Sequence, residues 1–316
     1  MSAPPTDLLP PGGLVDVHCH GAVGDAFGTS ADGSRRAASH HAADGVGTLV
    51  ASLVSARPDD LVAQVGVLAP LVAEGVLAGI HLEGPFLSVE RRGAHDPDAL
   101  RAPDPALVER LVEAAAAGGA PRALRHLTFA PELPGADALV RTLVAHGIRP
   151  SVGHTDADAE TTARTLAAVA DLQGTPALVT HLFNGMPPMH HRAGGPVAAA
   201  LAAAARGEAV VELIADGVHV APEVVRMVFD VVGPDHVALV SDAMTATGLG
   251  DGDYELGGLA VTVSEGTARL VDGGSIAGST TTLPGAVRWA VEVAGIDRAD
   301  ALRAATLTPA RAVGLG

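Results

Sequence analysis

Residues 14–20 read LVDVHCH, a short apolar run that ends in two histidines separated by one residue. Further apolar runs of similar length follow along the chain, and stretches of helical length separate them. Near-continuous apolar runs of about four to seven residues are typical of parallel strands covered on both faces. The runs are Leu14–His18, Gly47–Leu53, Val76–Leu82, His126–Ala130, Arg149–His154, Ala177–His181, Val210–Ala215 and Val237–Ser241.

This alternation predicts a (β/α)8 barrel. The alternative is an open doubly wound sheet, which is less favoured because no Gly-x-Gly-x-x-Gly turn follows the first run. After the barrel, apolar and polar residues alternate in Tyr254–Val271, which predicts a hairpin, and two amphipathic helices are expected near Leu283–Ala294 and Arg298–Ala305. The predicted units are the barrel at 14–250, a hairpin at 251–277, and helices packing on the barrel at 278–316.

Composition argues against two classes of partner. The chain has 20 basic and 36 acidic residues, a net charge of −16, and only 2% aromatic residues. This charge repels nucleic acids and anionic membranes, and so few aromatics do not form a base-stacking platform. We therefore expect no nucleic-acid and no membrane partner, and a phosphate-bearing substrate would need a local basic pocket.

The single cysteine and the N-terminal residues bear on the compartment. Cys19 has no partner for an intramolecular disulfide, and MSAPPTDLLPPGG, which precedes Leu14, lacks the basic start and apolar run of a signal peptide. Apolar stretches are interrupted well before the roughly 20 residues needed to span a bilayer. A cytoplasmic location is expected.

Histidines and acidic residues cluster at the ends of the predicted strands. Because side chains alternate along a strand, His18 and His20 are expected to face the barrel mouth while Cys19 points away. The C-terminal ends of barrel strands carry the active sites of this fold. The other strand ends contribute His81 and Glu83, His154, His181, Asp216 with His219, and Asp242.

Each of these residues alone has an ordinary structural explanation, as a satisfied polar side chain or a helix cap. A structural explanation does not account for so many of them at one end of the barrel, because burying many titratable groups together is costly unless a cation or a reaction offsets the desolvation. Imidazole and carboxylate ligands without thiolate suit Zn²⁺, Fe²⁺, Mn²⁺ or Co²⁺. We expect a catalytic divalent metal ion, since structural zinc sites are mostly closed and cysteine-rich.

The sequence resembles the N-acetylglucosamine-6-phosphate deacetylase family of the amidohydrolase superfamily, over roughly residues 14–313. The resemblance implies a metal-dependent hydrolase that removes the acetyl group from N-acetylglucosamine 6-phosphate, giving glucosamine 6-phosphate and acetate. The segments that carry it, in the family's order, are HLEGPFL (81–87), GHT (153–155), HLFNGMP (181–187), IADGVHV (214–220) and LVSDA (239–243).

The resemblance also implies catalytic roles. Glu83, His154 and His181 would hold the main metal ion. Asp242 would be the general base that takes a proton from the attacking water and returns it to the leaving amine. His95 would polarise the acetyl carbonyl and stabilise the oxyanion.

For substrate binding, the resemblance points to Arg192 as the phosphate ligand, reaching the active site of the neighbouring subunit in a homodimer. Arg192 follows two histidines in a loop bounded by Pro and Gly, which makes a local basic cluster; the alternative is a solvated loop with incidental charges. Further substrate contacts are implied for Asn184, Gly185, His219, Ala94, Ile276, Ala277 and Gly278.

Two departures leave alternatives open. His18 and His20 form a pair that can bind a second ion in this superfamily, so one or two ions per subunit are expected. Only 13 residues precede Leu14, where the family usually has about fifty, which predicts a truncated sandwich. The rival functions are deacetylation of another N-acetyl-amino-sugar phosphate and ligand binding by a catalytically inactive homologue.

Overall fold

Eight parallel strands form a barrel in the computed structural model of the chain, which describes residue 10 and residues 12–315. Strands and helices alternate, with helices between successive barrel strands. The strands are β1 (Leu14–Cys19), β2 (Gly21–Ala22), β3 (Asp25–Ala26), β4 (Val46–Leu53), β5 (Gly79–Glu83), β6 (Leu124–Phe129), β7 (Arg149–Val152), β8 (Ala177–Val179), β9 (Ala209–Ile214), β10 (Val237–Val240), β11 (Gly252–Leu256), β12 (Leu259–Ser264) and β13 (Thr267–Leu270). The α-helices are α1 (Ala31–Asp44), α2 (Pro58–Ala73), α3 (Pro105–Ala117), α4 (Ala136–Ala145), α5 (Ala159–Gln173), α6 (Gly195–Ala205), α7 (Pro222–Val232), α8 (Leu283–Glu292), α9 (Arg298–Ala304) and α10 (Leu307–Ala312).

The barrel strands lie in the order β1-β4-β5-β6-β7-β8-β9-β10, and neighbours are parallel. The first and last strands in this order, β1 and β10, meet at their C-terminal ends. There Cys19 forms a parallel bridge with Ala243, and the Asp242 amide donates to His18 O over 2.9 Å. The predicted (β/α)8 barrel is confirmed, and the open sheet is wrong. This closure brings the residues after β1 and β10 into one mouth.

Apolar residues fill the barrel and the layer between the strands and the helices. An inner cluster includes Val15, Val17, Val50, Val210 and Ile214, and α10 packs against it through its C-terminal end. A larger cluster joins the outer faces of the strands to the helices. Strands covered on both sides therefore read as continuous apolar runs, which is why they are visible in the sequence.

Each helix buries one face because its apolar residues recur at helical spacing. In α7 the buried residues Val225, Val228, Phe229 and Val232 recur three or four positions apart, and Pro222 occupies the first turn, where its missing N–H costs nothing. Across the described residues, we find no helix with the length and apolar character needed to cross a bilayer.

Three parts of the chain differ from expectation. The segment predicted as a hairpin forms a three-stranded antiparallel sheet, because a second turn at Glu265 and Gly266 adds β13 beyond β12. Strand β5 begins at Gly79 rather than at Val76, since the amides of Val76 and Leu77 bond back to Leu71 O and end α2. Helix α10 has no counterpart among the predicted elements.

Behind β1, His41 of α1 is buried in the outer layer. Its Nε2 atom lies 3.1 Å from both Gly21 O and Cys19 Sγ, and its Nδ1 atom has no hydrogen-bond partner among the described residues. Cys19 points away from the mouth, as predicted. Burial lowers the pKa of His41 to about 4, so the ring is neutral near pH 7.

Replacing His41 by Gln keeps a donor for Gly21 O and removes the titratable ring. Since the pKa of this histidine is about 4 in the folded chain and 6.5 once the chain is unfolded, the neutral ring contributes stability above pH 6.5 that is lost as the pH falls towards 4. The wild type should lose about 3 kcal/mol relative to His41→Gln between pH 7 and pH 4. Denaturant titrations at both pH values measure this, and a difference that does not change with pH would contradict it.

Candidate active site

The carboxylate of Glu83, at the C-terminal end of β5, lies at the centre of the barrel mouth. Its Oε1 atom is 2.8 Å from His181 Nε2 and 3.0 Å from His154 Nε2. These two nitrogens are 3.1 Å apart. Three ligand-type atoms from β5 and from the segments after β7 and β8 thus converge on one point.

The second oxygen of Glu83 faces the other side of the mouth. Its Oε2 atom lies 3.1 Å from His20 Nε2, 3.4 Å from His95 Nε2 and 3.7 Å from His18 Nε2. Burial alone would raise the pKa of Glu83, but the charge on His18 and the hydrogen bond with His154 hold it well below its usual value. The group is therefore a carboxylate that divides the mouth into two halves.

Asp242 follows β10 and lies beside the His18 and His20 pair. Its Oδ1 atom is 3.2 Å from His20 Nε2 and 3.4 Å from His18 Nε2. Burial would raise its pKa, but those imidazoles lower it to about 2, while the same contacts help to raise the pKa of His20 to about 9. Asp242 is ionised at neutral pH.

The backbone after three strands turns sharply to present these side chains. His154, His181 and Asp242 have φ values of 46°, 24° and 49°, in the left-handed region that residues other than Gly rarely adopt. This is why β7 and β8 end before His154 and His181, although the sequence pattern extends both strands to these histidines. Such strain is characteristic of functional sites.

The ring of His154 is held tightly. Its Nδ1–H donates to Arg91 O over 2.7 Å, which fixes the ring with Nε2 directed to Glu83 and His181. Gly185 lies directly against the ring: a Cβ atom there would stand 2.7 Å from His154 Nδ1. Glycine at this position, which also has φ of 62°, is what allows the loop after β8 to close over His154.

His95 is a neutral donor aimed at the mouth. Its Nδ1 accepts the Ser55 amide over 3.2 Å, and burial lowers its pKa to about 4. A neutral imidazole that accepts at Nδ1 carries its proton on Nε2. That Nε2–H points to the side of Glu83 Oε2.

His219 is fixed by an acidic neighbour from its own loop. Asp216 Oδ2 lies 2.7 Å from His219 Nδ1, and Asp216 Oδ1 accepts the amides of Val218 and His219. Burial opposes the charge on His219, but this contact with Asp216 raises the pKa of the imidazole. A polar side chain in a fixed orientation is therefore held at the rim.

A cavity of about 280 Å³ opens onto Glu83 and Asp242. Two predicted substrate residues do not line it: Ala277 is buried in the core of the β11–β13 sheet, and Arg192 is exposed on a turn where its Nη1 lies 2.8 Å from His191 Nε2. His18 lies beneath the cavity floor, fully buried. The predicted residues that do line it are His20, Glu83, Ala94, His95, His154, His181, Asn184, Gly185, His219, Asp242, Ile276 and Gly278.

The donor set fits a divalent cation. A tetrahedral zinc ion with bonds of about 2.0–2.1 Å holds its ligand atoms roughly 3.4 Å apart, and Glu83 Oε1, His154 Nε2 and His181 Nε2 stand 2.8–3.1 Å apart. A second group of buried ligand atoms comes from His18, His20 and Glu83. With nitrogen and oxygen donors and no sulfur, both groups match zinc, iron, manganese or cobalt.

Three contacting groups escape the sequence analysis. Glu212, on β9, lies 2.9 Å from His18 Nδ1; its signal is that it is the only charged residue in an otherwise apolar strand. Ser55 and Arg91 act on His95 and His154 through the main chain. Main-chain contacts leave no signal in residue type, so sequence patterns do not reveal them.

Comparisons with known proteins identify relatives of this chain. Residues 11–316 match the Amidohydrolase family. N-acetylgalactosamine-6-phosphate deacetylase of Escherichia coli O157:H7 is 34% identical over 98% of this chain and 79% of the relative, and N-acetylglucosamine-6-phosphate deacetylase of Vibrio furnissii is 34% identical over 98% and 75%. A variant of N-acetyl-D-glucosamine-6-phosphate deacetylase from Mycobacterium smegmatis, solved in complex with N-acetyl-D-glucosamine-6-phosphate, superposes with a TM-score of 0.87 at 43% identity, over 96% of this chain and 77% of that one.

The chain therefore belongs to the amidohydrolase family. Within it, the relatives confirm the resemblance seen in the five sequence segments: the chain is a member of the N-acetylglucosamine-6-phosphate deacetylases. It spans about three quarters of the length of these relatives.

Replacing Glu83 by Gln should lower the zinc content of the purified protein, because the amide replaces the charged oxygen that His154 and His181 share. Elemental analysis against protein concentration measures it. Glu109→Gln is the matched control, since Glu109 also contacts a histidine, His146 at 2.9 Å, but on the surface. Equal metal content in Glu83→Gln and Glu109→Gln would show that Glu83 is not a ligand.

Proposed function

We propose that the chain hydrolyses the acetamide of N-acetylglucosamine 6-phosphate to glucosamine 6-phosphate and acetate. The observation that carries the proposal is the arrangement around Glu83: two histidines on one carboxylate oxygen, three on the other, and the ionised Asp242 beside them, at the floor of a cavity. The activities for which the relatives are named support the substrate class.

Glu83, His154 and His181 would hold the main divalent ion, and His18 and His20 would hold the second ion if two are bound per subunit. A cation in this position polarises a carbonyl oxygen and lowers the pKa of water. The family and the donor set support metal dependence. The proposed ion is one of zinc, iron, manganese and cobalt.

The reaction needs a base, a donor to oxygen and an acid. Asp242 accepts a proton from the attacking water while the water oxygen bonds to the acetyl carbon. His95 Nε2–H donates to the carbonyl oxygen as negative charge develops there. When the C–N bond breaks, Asp242 returns the proton to the nitrogen, so the products are the amine and acetic acid, which ionises to acetate as its proton passes to the amine or to water. Asp242 is suited to accept the proton of the water because it is ionised. His95 is suited to donate to the carbonyl oxygen because it is neutral and protonated on Nε2.

The sugar would occupy the cavity lined by Asn184, Gly185, His219, Ala94, Ile276 and Gly278. Arg192 lies outside the cavity of its own chain, so the phosphate contact would come from Arg192 of a second copy in a homodimer. An exposed turn carrying two histidines beside this arginine offers local positive charge to an anionic substrate. A cytoplasmic location is part of the proposal and agrees with the buried, unpaired Cys19.

A second candidate is the galactosamine epimer, because the Escherichia coli relative carries that name and matches at the same identity as the Vibrio furnissii enzyme. The experiment is amine release from both sugar phosphates and from unphosphorylated N-acetylglucosamine, with and without chelator. A higher kcat/KM for N-acetylglucosamine 6-phosphate supports the proposal. Preference for the epimer selects the second candidate, and no amine from any substrate in metal-loaded protein would indicate an inactive homologue.

Asp242→Asn should lower kcat by about 10²–10⁴ and leave substrate affinity and metal content in place, because the amide keeps the size but does not accept a proton. Turnover, metal content and substrate binding are measured on one preparation. Retention of more than about a tenth of wild-type kcat would remove Asp242 from the role of base. Loss of metal together with activity would recast it as a ligand.

Arg192→Met should raise KM for the phosphorylated sugar and leave turnover of the unphosphorylated sugar nearly unchanged. Co-expression of Arg192→Met with Asp242→Asn tests where the arginine acts. In a mixed dimer, one site combines an intact Asp242 with an intact Arg192 from the other subunit, so low-KM activity should return. Failure of the mixed dimer to recover would contradict the contact across subunits.

A further inference from the structure

A buried acid lies beneath the mouth and takes no part in the reaction described above. Glu212 is fully buried on β9, in the strand AVVELI, whose other residues are apolar. Removing a carboxylate from water is costly unless it is paired with donors. The contacts of Glu212 therefore indicate what this residue is retained to do.

Glu212 contacts two segments of the site through one oxygen. Its Oε2 atom accepts from His18 Nδ1 over 2.9 Å, and it also accepts the main-chain amide of His181 over 3.3 Å. His18 lies at the end of β1 and His181 follows β8, so the carboxylate joins the two halves of the mouth. Both groups that it joins belong to proposed metal ligands: the ring of His18 and the main chain of His181.

The contact with His18 fixes which nitrogen faces the site. With Nδ1–H directed to Glu212, Nε2 lies on the opposite side of the ring, 3.1 Å from His20 Nε2, 3.4 Å from Asp242 Oδ1 and 3.7 Å from Glu83 Oε2. Ligand histidines in metal sites commonly donate their other ring N–H to a carboxylate in this way. The geometry of His18 thus depends on an acceptor at the position of Glu212.

We propose that Glu212 is a positioning residue for His18: it holds the ring with Nε2 directed to the cation position shared with His20 and Glu83, and it ties that ring to the backbone of His181. The inference rests on the proposed function only for the binding of a divalent ion at the mouth. It assigns Glu212 no contact with substrate.

A purely structural role explains the contacts less well. The other oxygen, Oε1, has no hydrogen-bond partner among the described residues, and His126 Nε2 is 3.7 Å away. An apolar residue at this position would avoid that unpaired oxygen and continue the strand pattern. The hydrogen bonds that offset the burial of Glu212 are those to His18 and His181.

The first test compares zinc affinity among variants, by competition with a chelator and without any sugar. The quantity measured is the dissociation constant of one zinc ion, the ion whose binding becomes weaker in His18→Ala. Glu212→Met, which removes the acceptor, should raise it about 10–100-fold, and Glu212→Gln, which keeps an oxygen acceptor, should raise it less. Glu208→Gln, at an exposed acid just before the same strand, is the matched control and should leave it unchanged.

A double-mutant cycle shows whether Glu212 acts through His18. In the His18→Ala background, Glu212→Gln and Glu212→Met should change zinc affinity by less than about twofold, because the ring they position is gone. The same loss in both backgrounds would mean that Glu212 acts through general stability, and would overturn the proposal. An unchanged zinc affinity in His18→Ala itself, or in Glu212→Met, would overturn it as well.

A spectroscopic readout gives the orientation directly and needs only the folded, zinc-loaded protein. In ¹⁵N-histidine spectra of the wild type, the His18 Nδ1–H should be hydrogen-bonded and protected from exchange with water, and this protection should be lost in Glu212→Met. Persistence of the protection in that variant, or a proton on Nε2 in the wild type, would contradict the proposal. Neither readout uses the sugar substrate, so failure of the deacetylase assay would overturn the proposed function and leave this result standing.

Discussion

The buried carboxylate of Glu83 is the group on which the mouth of the barrel depends. It is only 4% exposed, and such a charge is tolerated in the interior only when partners replace the water it has lost. His154 and His181 contact one of its oxygens, and His20 and His95 contact the other. Because these histidines come from β1, the β5 loop and the ends of β7 and β8, one side chain sets the relative positions of distant segments of the chain.

The barrel supplies the rigidity that this arrangement needs. The closure of β1 onto β10 places Asp242 beside His18 and His20, and the left-handed turns at His154 and His181 direct their rings inward. These backbone conformations are unfavourable for residues with side chains and persist only when the surrounding structure holds them. Continuous apolar packing on both faces of the strands provides that support, so the chemistry at the mouth rests on the core beneath it.

Patterns of residue type predict the barrel and the main side chains of the mouth. Parallel strands buried on both faces appear as apolar runs, and polar residues such as Glu83 and Asp242 stand out where these runs end. The pattern overextends the strands to His154 and His181, because backbone strain has no signature in polarity. It also misses Glu212, which lies within an apolar run, and the contacts of Ser55 and Arg91, which are made by the main chain and do not depend on residue type.

The most direct test of the account is X-ray diffraction from zinc-grown crystals at the zinc absorption edge, which locates the ion independently of any assay. The account predicts an anomalous peak within about 2.0–2.3 Å of Glu83 Oε1, His154 Nε2 and His181 Nε2. Crystals that hydrolyse the substrate while showing no peak between these atoms, or a peak only elsewhere in the chain, would contradict the central role of Glu83.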